Sequence, residues 1–176
     1  MAQILSNEQV LLLNNLMYME NRPPLQDLLS TDAQTIGDYV SCIPIHELKS
    51  QTDYGSFITG RDWKNIIQAV KQDIRLMNIQ IVTVNESILI DNTGGGKSAV
   101  FADPSNHEVI IAFRGTASHE WKDNLIGGGS TNTSDGVSTE CQKDALLWYQ
   151  SLKLNYFAAI TVTGHSKGGN KAKYIT

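Results

Sequence analysis

The chain has 176 residues, of which 41% are hydrophobic and 18% are charged, and its formal net charge at pH 7 is −4. This length suits one domain with a buried core, and the negative charge gives no electrostatic reason to expect binding to nucleic acid or an anionic membrane. The two cysteines, Cys42 and Cys141, lack the spacing of a zinc site or a disulfide scaffold, so free thiols are favoured over a single disulfide.

The first residues have neither the pattern of a signal peptide nor that of a membrane span. No basic residue precedes the apolar stretch, and the run from Val10 to Leu13 is interrupted by Asn14 and Asn15. Such a run is too short and too polar for either role. We therefore expect a cytoplasmic protein with no membrane span and no nucleic-acid partner.

Two helices are predicted in the first 40 residues. Ser6 and Gln9 have the Ser-x-x-Gln spacing of a capping box, which predicts a helix over residues 7–20 that ends before Pro23. A short helix is expected around residues 33–39, followed by an irregular linker.

A second capping signature occurs at Thr59 and Asp62. Apolar residues then recur at steps of three and four, which predicts a helix over residues 62–77. We expect residues 1–60 to form an N-terminal helical extension and residues 61–176 to form an α/β core.

Short β-branched runs separated by turn residues predict strands from residue 79 onward. The predicted strands cover residues 79–84, 87–90, 99–102, 108–113 and 158–163. A further helix is expected over residues 139–152. The fold class that we predict is therefore α/β, with a mixed, mostly parallel sheet and flanking helices.

One glycine-rich stretch ends in Gly96-Lys97-Ser98, as a phosphate-binding P-loop does. A P-loop also needs glycine at the position of Asp91 and a helix after Ser98. The residues that follow Ser98 are typical of a strand instead. We interpret the stretch as a glycine-rich hairpin loop that exposes Lys97, and we do not expect nucleotide binding.

A second glycine-rich stretch, residues 164–169, directly follows the last predicted strand. A nucleophile elbow requires a strand, a tight and strained turn at the nucleophile, a helix, and small residues on both sides. Gly164, Gly168 and Gly169 meet the last requirement. Ser166 is therefore the candidate nucleophile; the other interpretation is a helix-entry turn without chemistry.

Three motifs follow one another in this part of the chain. They are residues 111–116 (Ile-Ala-Phe-Arg-Gly-Thr), residues 121–125 (Trp-Lys-Asp-Asn-Leu) and residues 164–170 (Gly-His-Ser-Lys-Gly-Gly-Asn). Together they resemble the class 3 lipase-like α/β-hydrolases over about residues 75–176, and the last motif resembles a bacterial branch of that group. The resemblance implies an α/β-hydrolase fold and a serine hydrolase of carboxylic esters of lipids or other small molecules, without a metal or an organic cofactor.

The resemblance also implies roles for single residues. Ser166 would be the nucleophile, and the backbone N–H of Lys167 would be one donor of the oxyanion hole. Thr116 would supply the second donor through its N–H. Arg114 would brace the loop between them.

Three further residues are candidates for a pocket beside these donors. Trp121 and Leu125 would border the pocket or pack in the core. His119 would approach the pocket or lie on the surface. The loop of residues 127–138 would be a lid or an ordinary surface loop.

No catalytic base is evident after Ser166. In the α/β-hydrolases the acid and the histidine follow the serine, whereas His46, His107, His119 and His165 all precede it. A serine–lysine dyad is not expected either, because Gly169 occupies the position that the lysine would need.

We therefore expect this chain to be the front part of a longer hydrolase, with little or no turnover by itself. The strand of residues 158–163 would then be an exposed edge that pairs with a second copy or aggregates. The alternative function is a non-catalytic, hydrolase-like binding domain in which the elbow survives as architecture.

Overall fold

The computed structural model describes residues 4–55, 57–87, 96–115, 140–153 and 159–176. These residues contain six α-helices, four before the first strand and two in the C-terminal part. They are α1 (Asn7–Leu16), α2 (Ile36–Ser41), α3 (Gly60–Gln72), α4 (Ile74–Met77), α5 (Glu140–Lys153) and α6 (Lys167–Ile175). Two short 3-10 turns, Leu28–Ser30 and Ile45–Glu47, lie before and after α2.

Four strands form one mixed sheet in the described part of the chain. They are β1 (Gln80–Ser87), β2 (Gly96–Asp103), β3 (Glu108–Phe113) and β4 (Ala159–Gly164), in the order β1-β2-β3-β4. The pairs β1–β2 and β2–β3 are antiparallel and the pair β3–β4 is parallel. The predicted α/β class and mixed sheet are confirmed. The expectation of a mostly parallel sheet is wrong for these strands, because β1, β2 and β3 are neighbours in both the chain and the sheet and pair antiparallel.

The parallel pair brings two strand ends together. Glu108 is opposite Ala159 at one end of the pair, and Phe113 is opposite Gly164 at the other. The carboxyl ends of β3 and β4 therefore lie side by side. Ligand sites of α/β proteins are commonly found at such an edge.

Helices cover both faces of the sheet. β3 is buried along its whole length, as expected for a strand between two helical layers. On one face, alternate residues of β2 and β3 pack against α1, α2 and α3, with Leu13, Leu16, Tyr39, Trp63, Phe101 and Ala112 in the core. On the other face the core contains Val100, Ile111, Phe113, Ala145, Leu152, Ala172 and Ile175.

The N-terminal segment shares a core with the sheet. Leu13 of α1 and Tyr39 of α2 belong to the same cluster of buried residues as Phe101 of β2. The division into residues 1–60 and 61–176 stays a prediction, but the helices before residue 60 are packed on the sheet.

Both predicted capping boxes are confirmed. The Ser6 side chain accepts from the N–H of Gln9, and the Gln9 side chain accepts from the N–H of Ser6. Thr59 and Asp62 make the same reciprocal pair at the start of α3. A third box, formed by Thr35 with Asp38, begins α2.

Two predicted helices extended too far. α1 ends at Leu16 rather than at residue 20, because the N–H groups after it bond three residues back, as in a 3-10 turn. The helix predicted over residues 62–77 is divided at Asp73. This residue has an extended backbone, and its side chain accepts from the N–H groups of Arg75 and Leu76, which begins α4.

Other boundaries are shifted by a few residues. The short helix expected at residues 33–39 is α2, Ile36–Ser41, because Thr35 caps it. Two strands are predicted over residues 79–84 and 87–90, whereas the structure has one strand, β1, from Gln80 to Ser87. Residues 88–90 lie outside the described part.

The last strand lies at the edge of the described sheet. β4 begins at Ala159, whereas Ala158 is outside the described residues. Within the described part, β4 pairs with β3 on one side only. In the same part of the chain, none of the helices combines the length and the apolarity needed to cross a bilayer.

Candidate functional site

Ser166 lies in a strained turn between β4 and α6. Its backbone has φ 55° and ψ −124°, which is outside the regions that residues with a Cβ ordinarily adopt. The turn is held by N–H groups of the following helix: Gly168 donates to the carbonyl of His165 at 2.9 Å, and Gly169 donates to that of Ser166 at 2.9 Å. Strand, strained turn and helix follow one another as predicted.

Ser166 is exposed, and its side chain does not cap the helix. Ser166 is the N-cap residue of α6, yet its side chain makes no capping hydrogen bond. Serine at an N-cap usually accepts from the N–H two or three residues later. With φ 55° instead of the extended backbone of an ordinary N-cap, Ser166 lacks the conformation in which the side chain reaches those N–H groups.

The glycines around Ser166 are required by close backbone contacts. A Cβ on Gly168 would overlap the carbonyl of Phe113, and a Cβ on Gly164 would overlap the carbonyl of Gly168. These two glycines let β3, β4 and α6 approach closely at the elbow. The sequence-based expectation of small flanking residues is confirmed at both positions.

The segment after β3 lies against the elbow. A Cβ built on Gly115 would be 3.1 Å from the Cβ of Ser166 and 2.6 Å from the carbonyl oxygen of His165. Arg114, one residue earlier, is buried, and its N–H donates to the carbonyl of Lys97 at 2.8 Å. The loop predicted to carry the second oxyanion donor therefore starts beside the candidate nucleophile.

Several predicted site residues lie outside the described part of the chain. These residues are Thr116, His119, Trp121 and Leu125, and the loop of residues 127–138 lies there too. Their predicted roles stay predictions. Lys167 is the first residue of α6, so its backbone is at the predicted position next to Ser166.

Tyr18, which the sequence analysis missed, contacts both halves of the site. Its hydroxyl accepts the N–H of Gly115 at 2.8 Å and is 3.1 Å from Nδ1 of His165. The rings of Tyr18 and His165 pack edge to face, with centroids 5.9 Å apart. Nothing in the local sequence pattern around Tyr18 indicates these contacts, because its partners are 97 and 147 residues away.

The described histidines do not form a triad with Ser166. The ring of His165 is directed to Tyr18. His107 lies in the turn before β3, at the end of the sheet opposite Ser166, and His46 is in an exposed 3-10 turn next to Glu47. Lys171, on α6, is buried rather than exposed at the turn.

Lys97 is buried, which corrects the prediction of an exposed lysine in a hairpin loop. It belongs to β2, has no exposed surface, and its ammonium is 2.5 Å from a carboxylate oxygen of Asp27. The prediction overlooked that β2 begins at Gly96 and that the Lys97 ammonium reaches Asp27 and the Met19 carbonyl, in the segment between α1 and α2. The rejection of a P-loop is confirmed, because Lys97 and Ser98 lie in a strand and not at the start of a helix.

A second polar cluster lies at the opposite end of the sheet. Glu108 is buried and accepts hydrogen bonds from the Leu5 N–H at 2.9 Å and the Thr161 hydroxyl at 2.7 Å. Arg75 is paired with Asp103 at 2.6 Å. Burial by itself would raise the pKa of Asp103, but hydrogen bonds from its neighbours, Arg75 among them, outweigh burial and lower it. This cluster joins α4 and the N-terminal segment to the sheet.

A groove of about 560 Å³ lies between α1 and α3, away from Ser166. Its wall is polar, and Gln9 crosses it to donate to Asp73 at 2.8 Å. Of the residues that line this groove, none belongs to the elbow or to the segment after β3. We therefore do not assign the groove to the site.

Cys42 is a free, exposed thiol far from the elbow in sequence.

Comparison with known protein families corrects the predicted membership. A family model described as Mbeg1-like matches residues 70–176, from the end of α3 through α6. This family is different from the class 3 lipases, and no lipase family matched, so the predicted class 3 lipase membership is wrong. Short glycine-rich turns recur in unrelated families because tight strand-to-helix turns require them. No curated protein and no solved structure matched the chain significantly.

Proposed function

The chain belongs to the Mbeg1-like family, and we propose that this member is a serine hydrolase of carboxylic esters with Ser166 as its nucleophile. We further propose that the four described strands are part of an α/β-hydrolase fold. The substrate would be an ester of a lipid or of another small molecule, and no cofactor takes part in the proposed reaction.

The observation that carries the proposal is the conformation of Ser166. A serine that is held at φ 55° and ψ −124°, is exposed, and has a side chain that makes no capping hydrogen bond gives up the usual stabilisation of a helix cap. Strain of this kind costs roughly 1–3 kcal/mol and is found mainly at functional sites. A nucleophile elbow requires this turn, because only the strained backbone directs the hydroxyl outward.

The N-terminus of α6 supplies the electrostatics that the reaction needs. The first N–H groups of a helix have no acceptor within the helix, and this end carries a partial positive charge. We propose that the N–H of Lys167 and that of Thr116 bind the oxyanion. Each such donor contributes about 3 kcal/mol to the stability of the transition state. Gly115, the residue before Thr116, lies against the turn at Ser166, and this position supports the proposed role of the Thr116 N–H.

In the proposed reaction the Ser166 hydroxyl oxygen attacks the ester carbonyl and loses its proton to a base. The tetrahedral intermediate then expels the alcohol, which takes up a proton, and leaves an acyl group on Ser166. Water attacks the acyl group, releases the acid and regenerates the hydroxyl. Trp121, Leu125 and His119 remain the predicted pocket residues.

We expect acylation to be measurable and turnover to be slow. Among the described histidines, His165 is bonded to Tyr18, and His46 and His107 lie in other parts of the fold. A covalent probe needs only the first chemical step, so it is the sharper test.

The test is labelling by a fluorophosphonate, followed by intact-mass spectrometry over several hours. The wild-type chain should gain one phosphonyl group, and Ser166→Ala should gain none. The matched control is Ser6→Ala, which removes another serine at a helix N-cap and should label at the wild-type rate. If the wild type is not labelled, or if Ser166→Ala is labelled equally, the proposed function is wrong and a non-catalytic binding domain becomes the better account.

We also propose that the edge of β4 pairs with a second copy of the chain. β4 is bonded to β3 alone within the described residues, and an unpaired edge is a template for another strand. Sedimentation at increasing protein concentration should reveal dimers or larger species. A monomer at all concentrations would contradict this pairing.

A cytoplasmic location stays a prediction.

A further inference from the structure

We infer that Tyr18 is a positioning residue of the proposed active site. It lies just after α1, outside the residues 70–176 that match the family model. Its side chain nevertheless contacts the segment after β3 and the turn after β4. The inference rests on the proposed function of Ser166, and it extends the site to the N-terminal helix.

One hydroxyl group links the two halves of the site. The Tyr18 oxygen accepts the N–H of Gly115 at 2.8 Å, so that amide is oriented by the tyrosine. The proton of the same hydroxyl can be donated to Nδ1 of His165 at 3.1 Å, with the His165 carbonyl at 3.5 Å as a weaker acceptor. The hydroxyl therefore bridges the segment after β3 and the residue before Ser166.

The position of Gly115 matters because of what surrounds it. A Cβ on Gly115 would overlap the Tyr18 hydroxyl, and it would also lie 3.1 Å from the Cβ of Ser166. Gly115 is thus packed against both the tyrosine and the proposed nucleophile. Its carbonyl side continues into the peptide of Thr116, whose N–H is the proposed second oxyanion donor. A displacement of about 1 Å in a catalytic arrangement can cost roughly 100-fold in rate.

A residue within α1 supports this role of the N-terminal segment. Asn14, one helical turn before Tyr18, is buried, and its Nδ2 donates to the carbonyl of Phe113 at 3.3 Å. That carbonyl is the one that Gly168 approaches too closely for any side chain. Asn14 and Tyr18 therefore attach the end of α1 to the same edge of the sheet at which Ser166 lies.

The experiment compares two tyrosine-to-phenylalanine variants of the full chain. Tyr18→Phe keeps the ring and removes the hydroxyl that Gly115 uses. Tyr54→Phe is the matched control, because the hydroxyl of Tyr54 also accepts a backbone N–H, that of Lys49 at 3.0 Å, in the loop before α3. Both variants lose an acceptor for a backbone N–H, and Tyr18→Phe also loses the bond to His165, so its midpoint of urea unfolding should fall by at least as much as that of Tyr54→Phe.

The first readout is the rate of fluorophosphonate labelling of Ser166. Tyr18→Phe should lower the limiting rate of labelling about 10- to 100-fold, in line with loss of alignment of an oxyanion donor. The probe concentration that gives half of that limiting rate should change little. Tyr54→Phe should label as the wild type does. A structural role alone would lower the stability of Tyr18→Phe without this selective loss of rate.

The second readout is hydrogen exchange of the Gly115 amide in the unlabelled protein. The Gly115 amide should be protected from exchange in the wild type. Its exchange rate should be at least about 10-fold higher in Tyr18→Phe, because the amide then loses its acceptor. An unprotected Gly115 amide in the wild type would overturn the inference without the use of any variant.

The outcomes separate the two proposals. If the wild type labels at Ser166 and Tyr18→Phe labels at the same rate, the role of Tyr18 is refuted and the proposed function stands. If the wild type does not label, the proposed function is wrong. Tyr18 then has no catalytic role, even if the Gly115 amide is protected from exchange.

Discussion

Two helix starts in this molecule use the same kind of residue in opposite ways. At the start of α3, Thr59 has an extended backbone, with φ −80° and ψ 163°, and its hydroxyl accepts the N–H of Asp62. At the start of α6, Ser166 has φ 55° and ψ −124°, and its hydroxyl makes no cap. Ser6 and Thr35 follow the pattern of Thr59.

The difference indicates where stability has been given up. A side-chain cap contributes about 1 kcal/mol to a helix, and a strained backbone costs roughly 1–3 kcal/mol. Ser166 lacks the side-chain cap and has the strained backbone. The turn persists because its surroundings hold it: Gly168 packs on the end of β3, and Gly164 packs on Gly168. Four predictions test this difference between the capped helix starts and the strained start at Ser166, from the largest expected change to the smallest.

The largest effect is expected at Gly168. A Cβ there would overlap the carbonyl of Phe113, so Gly168→Ala must push the helix away from β3. We expect a loss of about 3 kcal/mol in the free energy of unfolding, measured in urea. Gly169→Ala is the control, because its Cβ would be 3.2 Å from the Gly164 carbonyl and it lies in the same helix. That variant should stay within about 1 kcal/mol of the wild type; equal losses in the two variants would contradict the packing described above.

The next effect concerns the strain itself. Ser166→Gly should raise the free energy of unfolding by about 1 kcal/mol, because glycine adopts positive φ without a clash and the relief exceeds its entropic cost. The same change at a capped start, Thr59→Gly, should lower stability by a few tenths of a kcal/mol. Thermal or urea unfolding of the two variants gives the signs. A loss of stability in Ser166→Gly would mean that the turn is not strained.

A third comparison removes a cap. Thr59→Ala should lower the free energy of unfolding by about 1 kcal/mol, because the first turn of α3 loses an acceptor for its N–H groups. Labelling of Ser166 should not change in this variant. A labelling rate that falls together with stability would show that the probe reports general loosening of the fold instead of the elbow.

The smallest effect is a change in a pKa. The hydrogen bond from the Thr59 hydroxyl is the main reason that the pKa of Asp62 is lowered, with the Thr59 N–H second. A lowered pKa stabilises the fold above the pKa of the unfolded chain, and this contribution is lost as pH falls through the folded value. Thr59→Ala should therefore move the pKa of Asp62 up toward its ordinary value in an NMR titration. The pKa of Asp103, lowered by other neighbours, should not move.

The features that were predicted correctly depend on residues close together in the sequence. A capping box needs residues three apart, and a tight strand-to-helix turn needs a strand, small residues and a helix in succession, so the caps at Ser6 and Thr59 and the turn at Ser166 were identified. Helix ends were predicted less accurately, because the division at Asp73 depends on a side chain that caps the next helix instead of continuing the first.

The features that were missed depend on contacts between distant parts of the chain. The burial of Lys97 requires the carboxylate of Asp27, which is 70 residues away. The contact of Tyr18 with Gly115 spans 97 residues. No local pattern encodes either pair. The family was misjudged for a related reason, since a few motif residues describe a turn geometry that several families share.

The most direct test of the account is whether Ser166 attacks an ester carbonyl. The chain would be mixed with 4-nitrophenyl acetate, stopped with acid after short intervals, digested and mapped by mass spectrometry. The account predicts one acetyl group on the peptide that contains Ser166, formed together with one equivalent of nitrophenol and absent from Ser166→Ala. Acetylation confined to lysines, or equal in the wild type and in Ser166→Ala, would contradict it.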